Sequence, residues 1–291
     1  MCFSPCGGAI ALTHADDVVR IMHAQTEDVL HDLKGLHTKT VISLAFSPDG
    51  NMLAQGSKDN TATVVDVTTS PAKHLCTVDG HEGQICAVSF SRDSELLVAG
   101  SADGGATVVE AHTGTTKFKL AGHERWIRAA DFSPDGKLLC LGCDDHNASV
   151  WAMSTGEQVC EIKGLHKKGI MAVRFDEAGE RLLLGSADKS VSVLDATNLH
   201  AARLFRVDCK HTDGDVWSMS FSADASLVVL GTNDSVASIV NLQTGAKVLT
   251  LHGIHKDGIT SAAFSPDGKR VATGSGNAAR TVSVHHLPVC S

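Results

Sequence analysis

The stretch FSPDGNMLAQGSKDNTATVVD, residues 46–66, decides how this chain folds. It holds Ser57 and Asp59, and His37 stands nine residues before its first phenylalanine. Serine, aspartate and histidine together are a catalytic triad if they occur once, and scaffolding if they recur. They recur. Phe3, Phe46, Phe90, Phe132, Phe175, Phe221 and Phe264 follow one another at spacings of 43, 44, 42, 43, 46 and 43, and only Phe118 and Phe205 fall outside the series. Eleven residues beyond each phenylalanine stand His14, Ser57, Ser101, Cys143, Ser186, Thr232 and Ser275. Thirteen beyond stand Asp16, Asp59, Asp103, Asp145, Asp188, Asp234 and Asn277. Nine or ten before stand His37, His81, His123, His166, His211 and His255.

A reaction needs its triad once, so the repeated constellation reads as a brace. The histidine belongs to the loop entering one strand and the aspartate to a turn between the next two. A carboxylate accepting from an imidazole and from turn amides pins those loops together, and the hydroxyl helps to satisfy the buried groups.

Each unit alternates short β-branched strands with turns containing Pro, Gly or Asp. In the second unit these are TVISLAF, SPDG, NMLAQG, SKDN, TATVVDV and KHLCTV. No segment carries a long 3.6-residue period. A period in the low forties with four strands per unit is the length of a propeller blade. The expected fold is all-β: a seven-bladed propeller of four-stranded antiparallel blades, forming a single domain over residues 1–291. Its units run over about 1–33, 34–78, 79–120, 121–162, 163–207, 208–251 and 252–291.

The chain resembles the WD-repeat β-propeller family over nearly its whole length. FSPDG at 46, 132 and 264, GH at 80 and 122, and Gly-Ser-x-Asp at 56, 100 and 185 carry the resemblance. The departure is the closing Trp-Asp pair. Trp151 alone keeps the tryptophan, while Met22, Val65, Val109, Leu194, Val240 and Val284 fill the other slots, and only Asp66 and Asp195 keep the second aspartate. The brace therefore lacks its indole N–H in most blades, and an apolar slot is retained.

The first and last blades are expected to be incomplete. Only Met1 and Cys2 precede Phe3, and TVSVHHLPVCS shows no clear fourth strand. In closed propellers of this family, the resemblance implies, the N-terminal segment supplies the outer strand of the last blade. A fragment of a larger protein, a strand lent by a partner, or imperfect closure would each account for the defect, the first being favoured.

Composition bounds the function. The net charge is -8, with 33 acids against 25 bases, which argues against tracking a nucleic-acid backbone or an anionic membrane. No apolar run reaches the length of a membrane span and the first residues do not form a secretory signal, so a cytoplasmic chain, with the nucleus as the other compartment, is expected. The 9 cysteines are scattered and read as free thiols. Cys140 and Cys143, three apart on one strand, read as core residues and not as a chelating pair. GSADGGA and GSGNAAR lack a phosphate-loop ending, so no cofactor is indicated, and His285-His286 point to opposite faces of a strand, so no metal site is nominated. The sequence offers the central funnel no cluster outside the repeat, and a non-enzymatic chain is expected.

The resemblance further implies that residues six and four before the strand-ending phenylalanine project to the top rim. The first set is Thr40, Gln84, Trp126, Gly169, Asp215 and Gly258; the second is Ile42, Cys86, Arg128, Met171, Trp217 and Thr260. Trp126, Arg128, Met171 and Trp217 thus fall on three successive blades, with Lys167, Lys168 and His146 as a polar rim. Trp and Arg dominate binding hot spots and Met adapts to irregular partners. The expectation is a scaffold that binds proteins or peptides, including members of a multiprotein complex, through this arc. LGCDDHNASVWAMSTGE (141–157) and KGLHKKGI (163–170) are also similar to blades of the echinoderm microtubule-associated-protein-like family, which implies a cytoskeletal module binding tubulin as the alternative.

Overall fold

The computed structural model describes residues 1–13, 18–199, 205–208, 214–276 and 282–287. Among them the chain is all strand, in seven antiparallel sheets arranged as a ring. The innermost strands are β1 (Cys2–Phe3), β5 (Val41–Phe46), β9 (Ile85–Phe90), β13 (Ile127–Phe132), β17 (Ile170–Phe175), β21 (Val216–Phe221) and β25 (Ile259–Phe264). Each of the seven closes on one of the periodic phenylalanines. Neighbouring innermost strands touch in ring order, and β1 touches both β5 and β25. From each innermost strand three more strands follow outward in sequence order, except in the seventh blade, which among the described residues has three strands ending at β27 (Val282–His286).

The second strand of each blade is the most deeply buried, because it lies between two strands of its own sheet and two neighbouring sheets. β6 (Met52–Ser57) is buried at every position. Even its polar members, Gln55 and Ser57, are at most 1% exposed. Such doubly covered strands read as continuous apolar runs and not as alternation. The phenylalanines pack between blades: Phe90 joins Met52 and Val64 of the second blade to Leu97 and Val109 of the third.

The first blade has four strands, but its innermost one is only two residues long, pairing Cys2 with Ala11 and Phe3 with Ile10. The ring nevertheless closes. Phe3, Ile10 and Leu12 pack with Ala272, Ala263 and Val284 of the seventh blade. The Arg270 guanidinium donates to the Gly7 carbonyl at 2.8 Å and lies 5.5 Å from the centre of the Phe3 ring.

Candidate interaction surface and the braces that hold it

In the second to seventh blades the ladder between the first two strands breaks at one place. Val41 pairs with Ser57 and Ser43 with Gly56, so Ile42 has no partner in the ladder. The same slip leaves out Cys86, Arg128, Met171, Trp217 and Thr260. A β-bulge leaves its extra residue unpaired and re-aims the side chain. The second set of rim positions is therefore a set of bulged residues, six times over. The rim lies at the end of the ring that carries the histidine loops, here the top face.

On this face Trp126 is 38% exposed and Trp217 43%. The Arg128 guanidinium stacks 4.4 Å from the centre of the Trp126 ring and forms a two-pronged ion pair with Asp144, at 2.9 Å from Nε and 2.8 Å from Nη2. Two glycines of the first rim set make room for these groups. A Cβ on Gly169 would sit 2.5 Å from Asp144 Oδ1, and one on Gly258 would sit 2.6 Å from Cζ3 of Trp217 and 2.9 Å from the Asn233 backbone. Met171 is half-buried against the core between the fifth and sixth blades. Lys167 and Lys168 are exposed, and Lys168 Nζ lies 3.3 Å from Asp215. His146 is exposed on a left-handed turn. The structure thus brings Trp126, Arg128 and Asp144 into one stack, and leaves Trp217 on its own blade against Gly258. Asp144 did not emerge from the sequence as part of the rim, although it is the only acid among the residues twelve beyond the phenylalanines.

Beneath the rim lie the braces. The fourth blade has the complete form. His123 Nδ1 lies 2.7 Å from Asp145, His123 Nε2 lies 2.8 Å from Ser149 Oγ, and Trp151 Nε1 donates to that same oxygen at 2.8 Å. Asp145 also accepts from the Asn147 amide. Burial pushes its pKa up, but the His123 and Asn147 bonds outweigh that and hold the carboxyl below its ordinary range. The ionised carboxylate only accepts, so Nδ1 carries the proton and Nε2 accepts from the serine hydroxyl. In the second blade His37 meets Asp59 at 3.1 Å and Thr63 at 2.9 Å; in the third His81 meets Asp103 at 2.9 Å and Thr107 at 2.9 Å.

The hydroxyl that meets the imidazole is thus Thr63, Thr107 or Ser149, seventeen residues beyond the phenylalanine, and not the one at eleven. The hydroxyls at eleven tie loops: Ser57 donates to the Lys39 carbonyl, Ser101 to that of Gly83 and Ser186 to that of Lys168, and each accepts from the amide of the brace aspartate. Cys143 takes this place in the fourth blade, with Sγ 3.2 Å from the Arg125 carbonyl and the Asp145 amide 3.4 Å away. Cys143, His123 and Asp145 have the donor types of a metal site, with ligand atoms all within 4.8 Å. Each of those donors is already committed to the brace, and burial pushes the Cys143 thiol up to about 12, so the trio offers no ready thiolate.

The other braces are partial. His166 shares Nδ1 between Asp188 and Ser190, while its Nε2 and the Ser192 hydroxyl are buried without a protein hydrogen-bond partner, and Leu194 fills the indole slot. Asp234 accepts from Thr232 and from the Gly214 amide, and His211 lies outside the described residues. His255 reaches Thr273 at 2.9 Å; the Ser275 hydroxyl is buried without a protein partner.

The channel corrects one expectation. The residues just before the strand-ending phenylalanines are Cys2, Ala45, Ser89, Asp131, Arg174, Ser220 and Ala263, and Asp131 and Arg174 put an opposed pair of charges into the funnel that no other blade repeats. Both were passed over because a charge in a strand normally marks its solvent face.

Comparison with known proteins gives the family. The model for the WD domain, G-beta repeat, matches residues 29–66, 72–108, 114–152 and 245–284. Each match begins on the outer strand of one blade and ends on the third strand of the next. A probable cytosolic Fe-S cluster assembly factor of Schizosaccharomyces japonicus (strain yFS275 / FY16936) is 30% identical over 77 residues, which are 26% of this chain and 13% of that protein. The fifth blade and the first three strands of the sixth escape the family model, yet they show the same four-stranded order and the same bulge on the innermost strand as their neighbours. With the model matching more than half of the chain and seven blades closing one ring, the protein belongs to the WD-repeat β-propeller family.

Proposed function

We propose that this propeller is a scaffold whose protein partner docks on the top face over the fourth to sixth blades. Propellers of this family commonly serve as protein-interaction scaffolds and are typically non-catalytic. The observation that carries the reading is the bulge: in the second to seventh blades it frees one residue of each innermost strand from the ladder, and in the fourth to sixth the freed residues are Arg128, Met171 and Trp217. Trp126 stacks on the first of them. Two exposed indoles and a guanidinium fixed by Asp144 present large area at little further loss of side-chain freedom, which is the chemistry of a hot spot. Lys167, Lys168 and His146 form its polar border. No helix among the described residues is long and apolar enough to cross a membrane.

The test is affinity capture from a eukaryotic lysate with the native chain and with Trp126→Ala/Arg128→Ala/Trp217→Ala, each checked for its melting temperature. Proteins retained by the native chain and lost from the folded variant support the arc, and tubulin among them would support the cytoskeletal reading. An identical set of captured proteins refutes the arc as the docking face.

A further inference from the structure

A second cavity, independent of the top face, lies at the opposite end of the ring. All seven periodic phenylalanines line it, so it is the lower end of the central channel, and its volume is ≈ 560 Å³. Its size falls in the range of small-ligand sites, and its walls combine aromatic rings and prolines with a few charged groups.

Two of those groups stand uncommitted. Asp131 on β13 accepts one hydrogen bond, from the Phe175 amide to Oδ2 at 2.8 Å, and its other oxygen has no recorded partner. Arg174, at the same position on the neighbouring β17, forms no hydrogen bond or ion pair with the described residues, and its Nε is buried without a partner. Arg174 also lines the cavity above, so it sits at the waist of the channel. The two side chains face one space and do not come within ion-pair distance of each other. A buried guanidinium nitrogen with no acceptor is costly, and so is a half-satisfied carboxylate; a ligand that supplies an acceptor to one and a donor to the other removes both costs. A plain anion does not suit the site, because Asp131, Asp176 and Glu177 outnumber Arg92 and Arg174 in its lining.

We propose that the lower channel binds a small zwitterion of the α-amino-acid type, its carboxylate on Arg174 and its ammonium on Asp131. The pH response has a defined sign. Burial, set against Arg174, the Phe175 amide and Arg92, raises Asp131 to about 6. The charged or titratable groups facing Asp131 are Arg174 on β17, Arg92 just beyond β9, and Cys140 on the second strand of its own blade. The ammonium contact therefore weakens as pH falls through about 6.

Titration calorimetry of the full chain tests this with three probes: L-tryptophan, indole-3-propionate, which lacks the ammonium, and tryptamine, which lacks the carboxylate. L-tryptophan is expected to bind, and each truncated probe to bind at least roughly tenfold more weakly. Asp131→Asn keeps the acceptor for the Phe175 amide, and should weaken L-tryptophan by a similar factor while leaving indole-3-propionate unchanged or tighter. Arg174→Met should weaken both L-tryptophan and indole-3-propionate. Absence of heat with L-tryptophan at millimolar concentration, or equal affinity for L-tryptophan and indole-3-propionate, overturns the proposal, and the probe comparison on the native chain decides even where a variant fails to fold.

Discussion

The hydroxyl seventeen residues beyond the phenylalanine is a serine in both the fourth and fifth blades, and removing it should have opposite consequences. Ser149 Oγ accepts from Trp151 Nε1 and serves His123 Nε2, both at 2.8 Å. Trp151 is 6% exposed, and the His123 side chain 3%. Ser149→Ala therefore strands a buried indole N–H and a buried imidazole nitrogen. Each such orphan costs about 1–3 kcal/mol, giving an expected loss of about 2–6 kcal/mol. For a chain of this size that is a fall in melting temperature of roughly 3–10 °C. Ser192 in the fifth blade is equally buried, but its hydroxyl has no protein partner. Ser192→Ala deletes only a desolvated polar atom, so the expected change lies within about 0.5 kcal/mol of zero, or is slightly stabilising. The assay is urea unfolding of the two variants and the native chain, followed by circular dichroism, with melting as a second probe. Equal losses at both positions would refute the argument, because the two sites share residue type, strand and burial and differ only in partners.

Gly258→Ala brings a methyl against the Trp217 ring and the Asn233 backbone; it should cost about 1–3 kcal/mol and shift tryptophan emission, and a variant native in both melting and emission would show that the close approach is not obligatory. Asp131→Asn should raise stability at neutral pH. Burial raises its folded pKa to about 6, so the native state holds the proton more tightly and loses stability as pH rises from about 4 to about 6. The shift corresponds to about 3 kcal/mol at most, which solvent in the channel reduces to about 1–2; a variant that melts below the native chain at pH 7 contradicts this. Asp59→Asn should behave in the opposite sense. Burial pushes the Asp59 pKa up, but the Thr61 hydroxyl, the Thr38 amide and His37 outweigh it and bring the carboxyl down to about 2. Its stabilisation is full above about pH 4 and is lost as pH falls through about 2. The gap between variant and native chain in urea midpoint should close across that window, and a gap independent of pH would refute the assignment.

The fold was legible because Phe90 and its counterparts recur at a blade's length and because the turns between strands hold Pro, Gly and Asp. The braces were legible as a recurrence of His and Asp but misread in their third member. Ser57 drew attention by analogy with a nucleophile, whereas Thr63, Thr107 and Ser149 stand two residues before the Trp slot, and period-two geometry puts them on the same face as Trp151. The rim positions came from resemblance, and only the strand register gives their physical cause, since a bulge depends on how two strands pair and leaves no fixed mark in either one. Asp131 and Arg174 were illegible for a related reason. Whether a charge on an innermost strand meets solvent or a channel is settled by closure of the ring, which joins residues more than 250 positions apart.

The bulges have a consequence for how such a surface can change. A residue within a ladder is constrained by its cross-strand neighbour, and one within the core by volume. Ile42, Cys86, Arg128, Met171, Trp217 and Thr260 are free of the first constraint. They form a six-place address around the mouth of the ring, written in residues as unlike as threonine, arginine and tryptophan on one invariant backbone. If the top face docks a partner as proposed, rewriting a place would alter what it recognises with little effect on the strand pairing beneath it, so one ring could acquire a new partner without first acquiring a new fold.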